Sequence, residues 1–304
     1  MKLQLLIFLA LGTVARGGDG LPMVVESQSI EVVRESITGI FPTQSELLLF
    51  SSKTNEFVKS SLNLNATTRL EKFGKMTDWL RVSLPEASLK TSFVGAFETE
   101  KGLMVVDGRD LMVYRLNPEG KVLAQGGIIW DRLLPFKDAI GEAPKVEQRA
   151  LKDLFLKELR KSELKIKSLA FIQKTSGNFE FLALTGSERV PLVKLSCKIE
   201  NPTFCEVHRE CKMPQSISKS KSLRGLAYDP KTKEIVVGNP SAHFLYVFKE
   251  GKCDGGQSHK HIALDEKYKP VSSLFIDSSS RLWIGTETRD DYLNASVYIH
   301  SKWH

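Results

Sequence analysis

The feature that most restricts the fold of this chain is a unit that recurs along it: a short apolar strand, a polar loop and a second apolar strand. The unit reads SELLLFSSKTNEFVKSSL from Ser45, GLMVVDGRDLMVYRLNPEGKVLAQG from Gly102 and FEFLALTGSERVPLVKLSCKIENPTFCEV from Phe179. It returns as EIVVGNPSAHFLYVFKEGKC from Glu234 and RLWIGTETRDDYLNASVYIH from Arg281. Short apolar runs bounded by turn-forming residues make each of these a hairpin. In four of the five units a further strand precedes the hairpin, in TSFVGAFETEK, KSLAFIQKTSG, SLRGLAYDPKT and VSSLFIDSSS. Each of these ends in a polar turn such as Asp229-Pro230-Lys231-Thr232.

Units of strand, turn, strand, loop and strand at roughly 50-residue spacing are what propeller blades require. The expected fold class is therefore all-β, a single β-propeller. Five blades are expected, and six stay open because Leu62 to Leu84 has no clear pattern. The early segment MVVESQSIEVVRESI, Met23 to Ile37, alternates as a strand does. Such a strand can close a propeller by pairing with the last blade, which removes an unpaired edge. A wider interval separates the second and third units and holds PKVEQRALKDLFLKELRKSELK, Pro144 to Lys165. Pro144 suits a first helical turn, Leu151, Leu154, Phe155 and Leu159 recur at helical spacing, and Asp153 with Lys157 makes an i,i+4 pair. One inserted amphipathic helix is expected over about 144–165, either on the propeller's end or on the outer edge of a blade. No stretch rich in Pro, Gly or Ser divides the chain, so residues 16–304 read as one propeller domain.

The N-terminus sets the compartment. Lys2 is followed by the apolar run Leu3 to Ala15, with Thr13 and Ala15 where signal peptidase reads, and then by polar Arg16-Gly17-Gly18-Asp19-Gly20. This is the pattern of a signal peptide over residues 1–15, since the apolar run falls short of the roughly 20 residues that span a bilayer. A secreted or periplasmic protein with no transmembrane segment is expected. Lys and Arg outnumber Asp and Glu by 43 to 36, but the lysines are scattered. That excludes the clustered footprint of a nucleic-acid binder and leaves only weak attraction to an anionic surface. The four cysteines, Cys197, Cys205, Cys211 and Cys253, are an even set in an exported chain and point to disulfides. Cys197 and Cys205 lie symmetrically about Asn201, with a turn signal at Glu200-Asn201-Pro202-Thr203, so they should face each other across a hairpin. The expected pairs are Cys197 with Cys205 and Cys211 with Cys253. No CxxC knuckle is present to make a zinc site of them.

The last unit, from Val271, resembles the repeat of periplasmic two-component-regulator propellers: Asp277, Leu282, Trp283, Ile284, Gly285 and Thr286 match, and Ser280 stands where that family usually has Gly. The fourth unit, SLRGLAYDPKTKEIVVGNPSAHFLYVF, resembles the NHL and related propellers. The strand pattern is also similar to that of gluconolactonase-like propellers, which hold a divalent cation in the central channel through Glu, Asn and Asp. None of those ligands matches a position here, so no cofactor is predicted and a calcium ion is not excluded. Asp229 and Asp277, at the ends of first strands, are expected to cap β-turns through their side chains.

The motifs GxSxG, HExxH, Walker A and GxGxxG after a strand are all absent, so a case for catalysis has only scattered residues to rest on. His259 and His261 in GGQSHKHIAL would share one face of a strand, but two ligands leave a metal site incomplete and a solvent-facing loop is expected. In a propeller, the loops between second and third strands emerge on one face together with the connections between blades. That face would carry Asp107, Arg109, Asp110, Glu188, Arg189, Asn239, His243, Arg289, Asp290 and Asp291. Mixed acids and arginines suit a protein loop or a polar ligand, because a guanidinium holds a carboxylate or phosphate through two hydrogen bonds. The expected function is that of an exported binding or scaffold propeller with no assigned catalytic residue and no assigned metal site. A lactonase- or glycosidase-like hydrolase and a ligand-sensing module are the alternatives. The sequons Asn65-Ala66-Thr67 and Asn294-Ala295-Ser296 matter only in a source that glycosylates.

Overall fold

Each recurring hairpin forms where its two apolar runs flank a turn, with the first of the two strands buried on both faces, and each is extended by one strand on either side. The structure is a computed structural model that describes residues 27–32, 37–43, 46–51, 55–61, 79–84, 91–130, 144, 147, 165–187, 190–211, 213–214, 217, 222–240, 244–250, 259–264, 271–286, 295–300 and 303. Strand β1 (Ser27–Val32) comes first. Four-stranded units follow: β2 (Ile37–Pro42) to β3 (Glu46–Ser51), β4 (Glu56–Ser61) and β5 (Trp79–Arg81), then β6 (Phe93–Thr99), β7 (Gly102–Asp107), β8 (Met112–Leu116) and β9 (Val122–Trp130). The third unit is β10 (Ile166–Lys174), β11 (Asn178–Thr185), β12 (Leu192–Lys198) and β13 (Cys205–Cys211), and the fourth is β14 (Arg224–Asp229), β15 (Glu234–Gly238), β16 (Phe244–Lys249) and β17 (Lys260–Ala263). The last unit supplies only β18 (Val271–Ile276), β19 (Leu282–Thr286) and β20 (Ala295–His300), and β1 completes it by pairing antiparallel with β20, from Ser27 opposite His300 to Val32 opposite Ala295. The expected N-terminal closing strand is thus present. The signal segment lies outside the described residues, as does the expected inserted helix apart from Pro144, Glu147 and Lys165; Glu147 is helical and its N–H donates to the Pro144 carbonyl.

Within every unit the strands run as an antiparallel meander, in chain order except that β1 takes the fourth place in the last. The first strands touch in a cycle, β2 with β6, β6 with β10, β10 with β14, β14 with β18 and β18 with β2, which makes the architecture all-β and propeller-like. Between β18 and β2 the link is a buried hydrogen bond from the Ile40 N–H to Ser273 Oγ (2.8 Å). All five first strands carry a one-residue register shift near their start, at Ile37/Gly39, Phe93/Gly95, Ile166/Ser168, Arg224/Leu226 and Val271/Ser273. A bulge repeated at one level sharpens the twist of each sheet where the ring is narrowest. Gly95 shows how tight that level is, since a Cβ there would lie 2.4 Å from Leu169 of the neighbouring unit.

The core lies between units. Val94, Phe97, Met104 and Val113 of the second unit pack on Phe179, Phe181, Val193 and Leu195 of the third. Leu182, Leu184 and Leu192 of the third meet Tyr228, Val237 and Phe248 of the fourth, and Val236 and Leu245 meet Leu274, Leu282 and Ile284 of the fifth. Each buried side chain of this size contributes about 1.5–3 kcal/mol, so inter-unit faces carry the fold. Polar ties supplement them. Glu250 accepts from Lys194 Nζ across the third and fourth units and from the Tyr228 hydroxyl (2.5 Å). Burial alone would raise the Glu250 carboxyl, but these two bonds outweigh it and hold it below its ordinary range. The third and second units also join at their outer edges, where β13 pairs parallel with β9 from Cys205 opposite Ile128 to Val207 opposite Trp130. Cys197 and Cys205 face each other across β12 and β13 and are disulfide-bonded. Cys211 is disulfide-bonded too, and its expected partner Cys253 lies outside the described residues.

Asp277 explains the sequence pattern of the last unit. Its Oδ1 accepts from the Ser279 N–H (2.9 Å) and Arg281 N–H (3.0 Å), and its Oδ2 accepts from Arg281 Nε (2.6 Å) and Trp283 Nε1 (3.0 Å). Asp229 likewise accepts from the Lys231 N–H (2.9 Å). Both aspartates therefore cap turns as expected. Ser280 has φ of 60°, a left-handed conformation that costs an L-residue free energy and that glycine adopts freely. This is the physical reason a Gly suits that position. Ser280→Gly is expected to stabilise the protein by about 1 kcal/mol, since relief of the left-handed strain exceeds the entropy glycine loses. Calorimetry should read a melting temperature about 2–4 °C higher.

Candidate functional site

One face of the ring is built by the starts of the first strands and the ends of the second strands. Their paired residues are Ile37 with Ser51, Phe93 with Asp107, Ile166 with Thr185, Arg224 with Gly238 and Val271 with Thr286. The loops after β7, β11 and β15 leave from here, and the connections into β6, β10 and β14 arrive here. The two kinds of segment are bonded together. Gly108 donates its N–H to the Ser92 carbonyl (2.9 Å) and accepts at its own carbonyl from the Ile166 N–H (2.9 Å), while Gly186 donates to the Lys165 carbonyl (2.7 Å). A Cβ at Gly108 would sit 2.0 Å from the Ile166 carbonyl oxygen, so only glycine allows this approach. The loop of the second unit is thereby pinned beside the residue that precedes Lys167.

Of the ten residues expected on this face, Asp107, Arg109, Asp110 and Asn239 are described, and Glu188, Arg189, His243, Arg289, Asp290 and Asp291 lie outside the described residues. Arg109 and Asp110 are exposed in the turn after β7. Asn239 is buried and accepts from the Ser222 hydroxyl (3.0 Å), which ties the loop leaving β15 to the connection entering β14. Asp107 is fully buried. Its Oδ1 accepts from the Arg109 N–H (2.9 Å) and the Ser92 N–H (3.2 Å), while Oδ2 has no hydrogen-bond partner among the described residues. Burial pushes this carboxyl above its ordinary range; the two backbone donors oppose the rise and the charge of Asp110 adds to it. At the matching place in the third unit Thr185 has a similar role, its Oγ1 accepting from the Ser187 N–H (3.1 Å).

Two residues that sequence reasoning missed join this face. Lys167 is the extra residue of the β10 bulge and Arg224 opens β14; both are exposed. Partial burial of its ammonium, and then the charge of Arg224, hold Lys167 below its ordinary range, so the two cations lie within electrostatic reach of each other on adjoining first strands. The only signal in the sequence was a lone basic residue at the start of two strands, which alternation alone assigns to neither face.

The histidine pair differs from expectation. His261 belongs to β17 and His259 immediately precedes it, so the segment is an outer strand and not a loop. Register with β16 places Tyr246 opposite His261 and fixes the segment's two faces. The His259 and His261 rings have centroids 4.8 Å apart and lie against Phe244 and Tyr246. Burial and then the neighbouring His259 hold His261 below the ordinary imidazole range. Among the described residues no group of three or more His, Cys, Asp and Glu side chains is placed to hold a metal ion, and no helix is long and apolar enough to cross a membrane.

No family model matches the sequence, and no curated protein matches it. Solved structures do resemble it. The chain superposes on Myxococcus xanthus glutaminyl cyclase with a TM-score of 0.51 at 6% identity, covering 91% of this chain and 95% of that one. It resembles a gluconolactonase from Xanthomonas campestris with a TM-score of 0.43 at 11% identity, over 92% and 82% of the two chains. It also resembles a β-propeller domain from Myceliophteria thermophila with a TM-score of 0.42 at 10% identity, over 88% and 83%. Identities this low speak to fold alone.

The raised Asp107 carboxyl makes a prediction about stability. Its ordinary value is 3.8 and its folded value is higher, so its contribution to stability is full below 3.8 and is lost as pH rises through the folded value. Asp107→Asn keeps an acceptor oxygen for Arg109 and Ser92 and removes the charge. Denaturant unfolding should find the variant more stable than the parent at pH 7 and the difference much reduced at pH 4. An equal difference at both pH values would mean that Asp107 is not the group responsible.

Proposed function

We propose that this protein is an exported, five-bladed propeller that binds an anionic group, carried by a partner protein or a polar ligand, at the loop-rich face of its ring. The observation that carries this reading is the placing of exposed Lys167 and Arg224 on adjoining first strands of this face, where the charge of Arg224 reaches the Lys167 ammonium and two cationic side chains stand ready for an anionic group. Exposed Arg109, in the turn that Asp107 caps, adds a third basic side chain to the same face. The five-blade count is supported by five four-stranded units, two of them merged into one eight-stranded sheet through β9 and β13, by first strands in cyclic contact and by β1 completing the last unit. Export is supported by the N-terminal signal pattern and by the Cys197–Cys205 disulfide, which forms and persists in oxidising compartments. A protein of this kind needs rigid loops more than reactive groups, and the hydrogen bonds through Gly108, Gly186, Asp107 and Asn239 supply that rigidity.

Thermal unfolding of the mature protein against acidic peptides, sugar acids and phosphate esters tests the reading, because a ligand of the native state raises stability by RT ln(1 + [L]/Kd). At least one class should raise the melting temperature. Lys167→Ala combined with Arg224→Ala should abolish that rise while leaving the unliganded melting temperature within a degree or two. A rise that survives the double substitution would remove the anion site from this face. Calcium-dependent turnover of lactone esters would instead place the chain with the propeller hydrolases.

A further inference from the structure

We propose that His259 and His261 are a two-histidine chelate for a divalent transition ion such as zinc or nickel, on the outer strand of the fourth unit. The proposal is independent of the anion-binding reading. Strand alternation sends the side chains at 259 and 261 to one side, and β16 fixes that side by placing Tyr246 opposite His261. The ring centroids lie 4.8 Å apart and the ring planes meet at 60°. Imidazole nitrogens bind zinc at about 2.0–2.1 Å, and a ring centroid lies roughly 1.2 Å beyond its nitrogen, so two rings on one tetrahedral ion have centroids about 5 Å apart. The observed centroid spacing matches that distance, so rotation of the rings about their side-chain bonds is enough to turn two nitrogens toward one ion. Phe244 lies 4.5 Å from His261, and Tyr246 lies 5.4 Å from His261 and 5.9 Å from His259, so aromatic packing on one side holds the rings together.

Access and chemistry agree with this assignment. His261 is exposed and His259 half-buried, so an ion reaches both from solvent. Imidazole suits zinc, nickel and copper, whereas calcium and magnesium require oxygen ligands. Two protein ligands leave the remaining positions to water, or to a donor from whatever docks beside the outer strand. A two-ligand site of this kind is expected to bind in the micromolar range, well short of a closed structural site.

Isothermal titration of the full mature chain with zinc chloride and with nickel chloride, in a buffer that does not bind metal, tests the assignment. The parent should take up one equivalent that His259→Gln and His261→Gln each weaken at least tenfold. Glutamine keeps bulk against Phe244 and Tyr246, and circular dichroism with the metal-free melting temperature should match the parent. His208→Gln, which alters a histidine hydrogen-bonded to Ser196, should leave uptake unchanged. Absence of uptake by the parent, or its retention in either His259→Gln or His261→Gln, overturns the site. Should either variant fail to fold, long-range proton–nitrogen spectra of the parent decide: two histidine rings shifting together as zinc is added uphold the proposal, and no shift or a single ring shifting overturns it.

Discussion

Everything in this structure depends on the pairing of β1 with β20. The last unit has only three strands of its own, and without a fourth the edge of β20 would stand unpaired at the place where the ring closes, beside the Ile40 to Ser273 bond that links β2 to β18. Six paired residues from the start of the described chain fill the missing edge. The exposed edge of β20 is thereby removed. The pairing also joins segments from opposite ends of the chain, so it is made only after the entropy of closing the whole loop has been overcome.

Closure in turn creates the candidate site. The repeated bulge at the start of each first strand bends every unit at one level, and the tight approach at Gly95 and Gly108 brings neighbouring units together there. Residues far apart in sequence, such as Arg109, Lys167 and Arg224, then share one face. Because the connections and loops on that face are bonded backbone to backbone, the basic groups stand on a rigid frame whose ordering has already been met by folding.

Legibility in the sequence followed the range of the forces involved. The five hairpins, the turn caps at Asp229 and Asp277 and the Cys197–Cys205 pair were all readable, because each depends on residues within about ten positions of one another. The expected rim mixed two kinds of residue. Arg109 and Asp110 are exposed, but Asp107 and Asn239 turned out to be buried fasteners of the loop bases. A polar residue ending a strand looks the same whether it faces a ligand or its own turn. Lys167 was missed because a bulge re-aims a side chain against the alternation that sequence reading relies on. The histidine pair was placed in a loop because a four-residue outer strand with one buried position gives too few alternations to register.

The sequence by itself determined the building unit: strand length, turn position, the capping aspartates and the left-handed Ser280 all follow from local hydrogen bonding and side-chain alternation. Tertiary structure alone decided that β1 completes the last sheet, that β9 and β13 pair in parallel, and that Lys167 and Arg224 come to adjoining first strands of one face. Those outcomes depend on the angle at which each sheet packs on the next. That angle is set by inter-unit side-chain packing and by glycine-permitted close approach, which no single segment encodes.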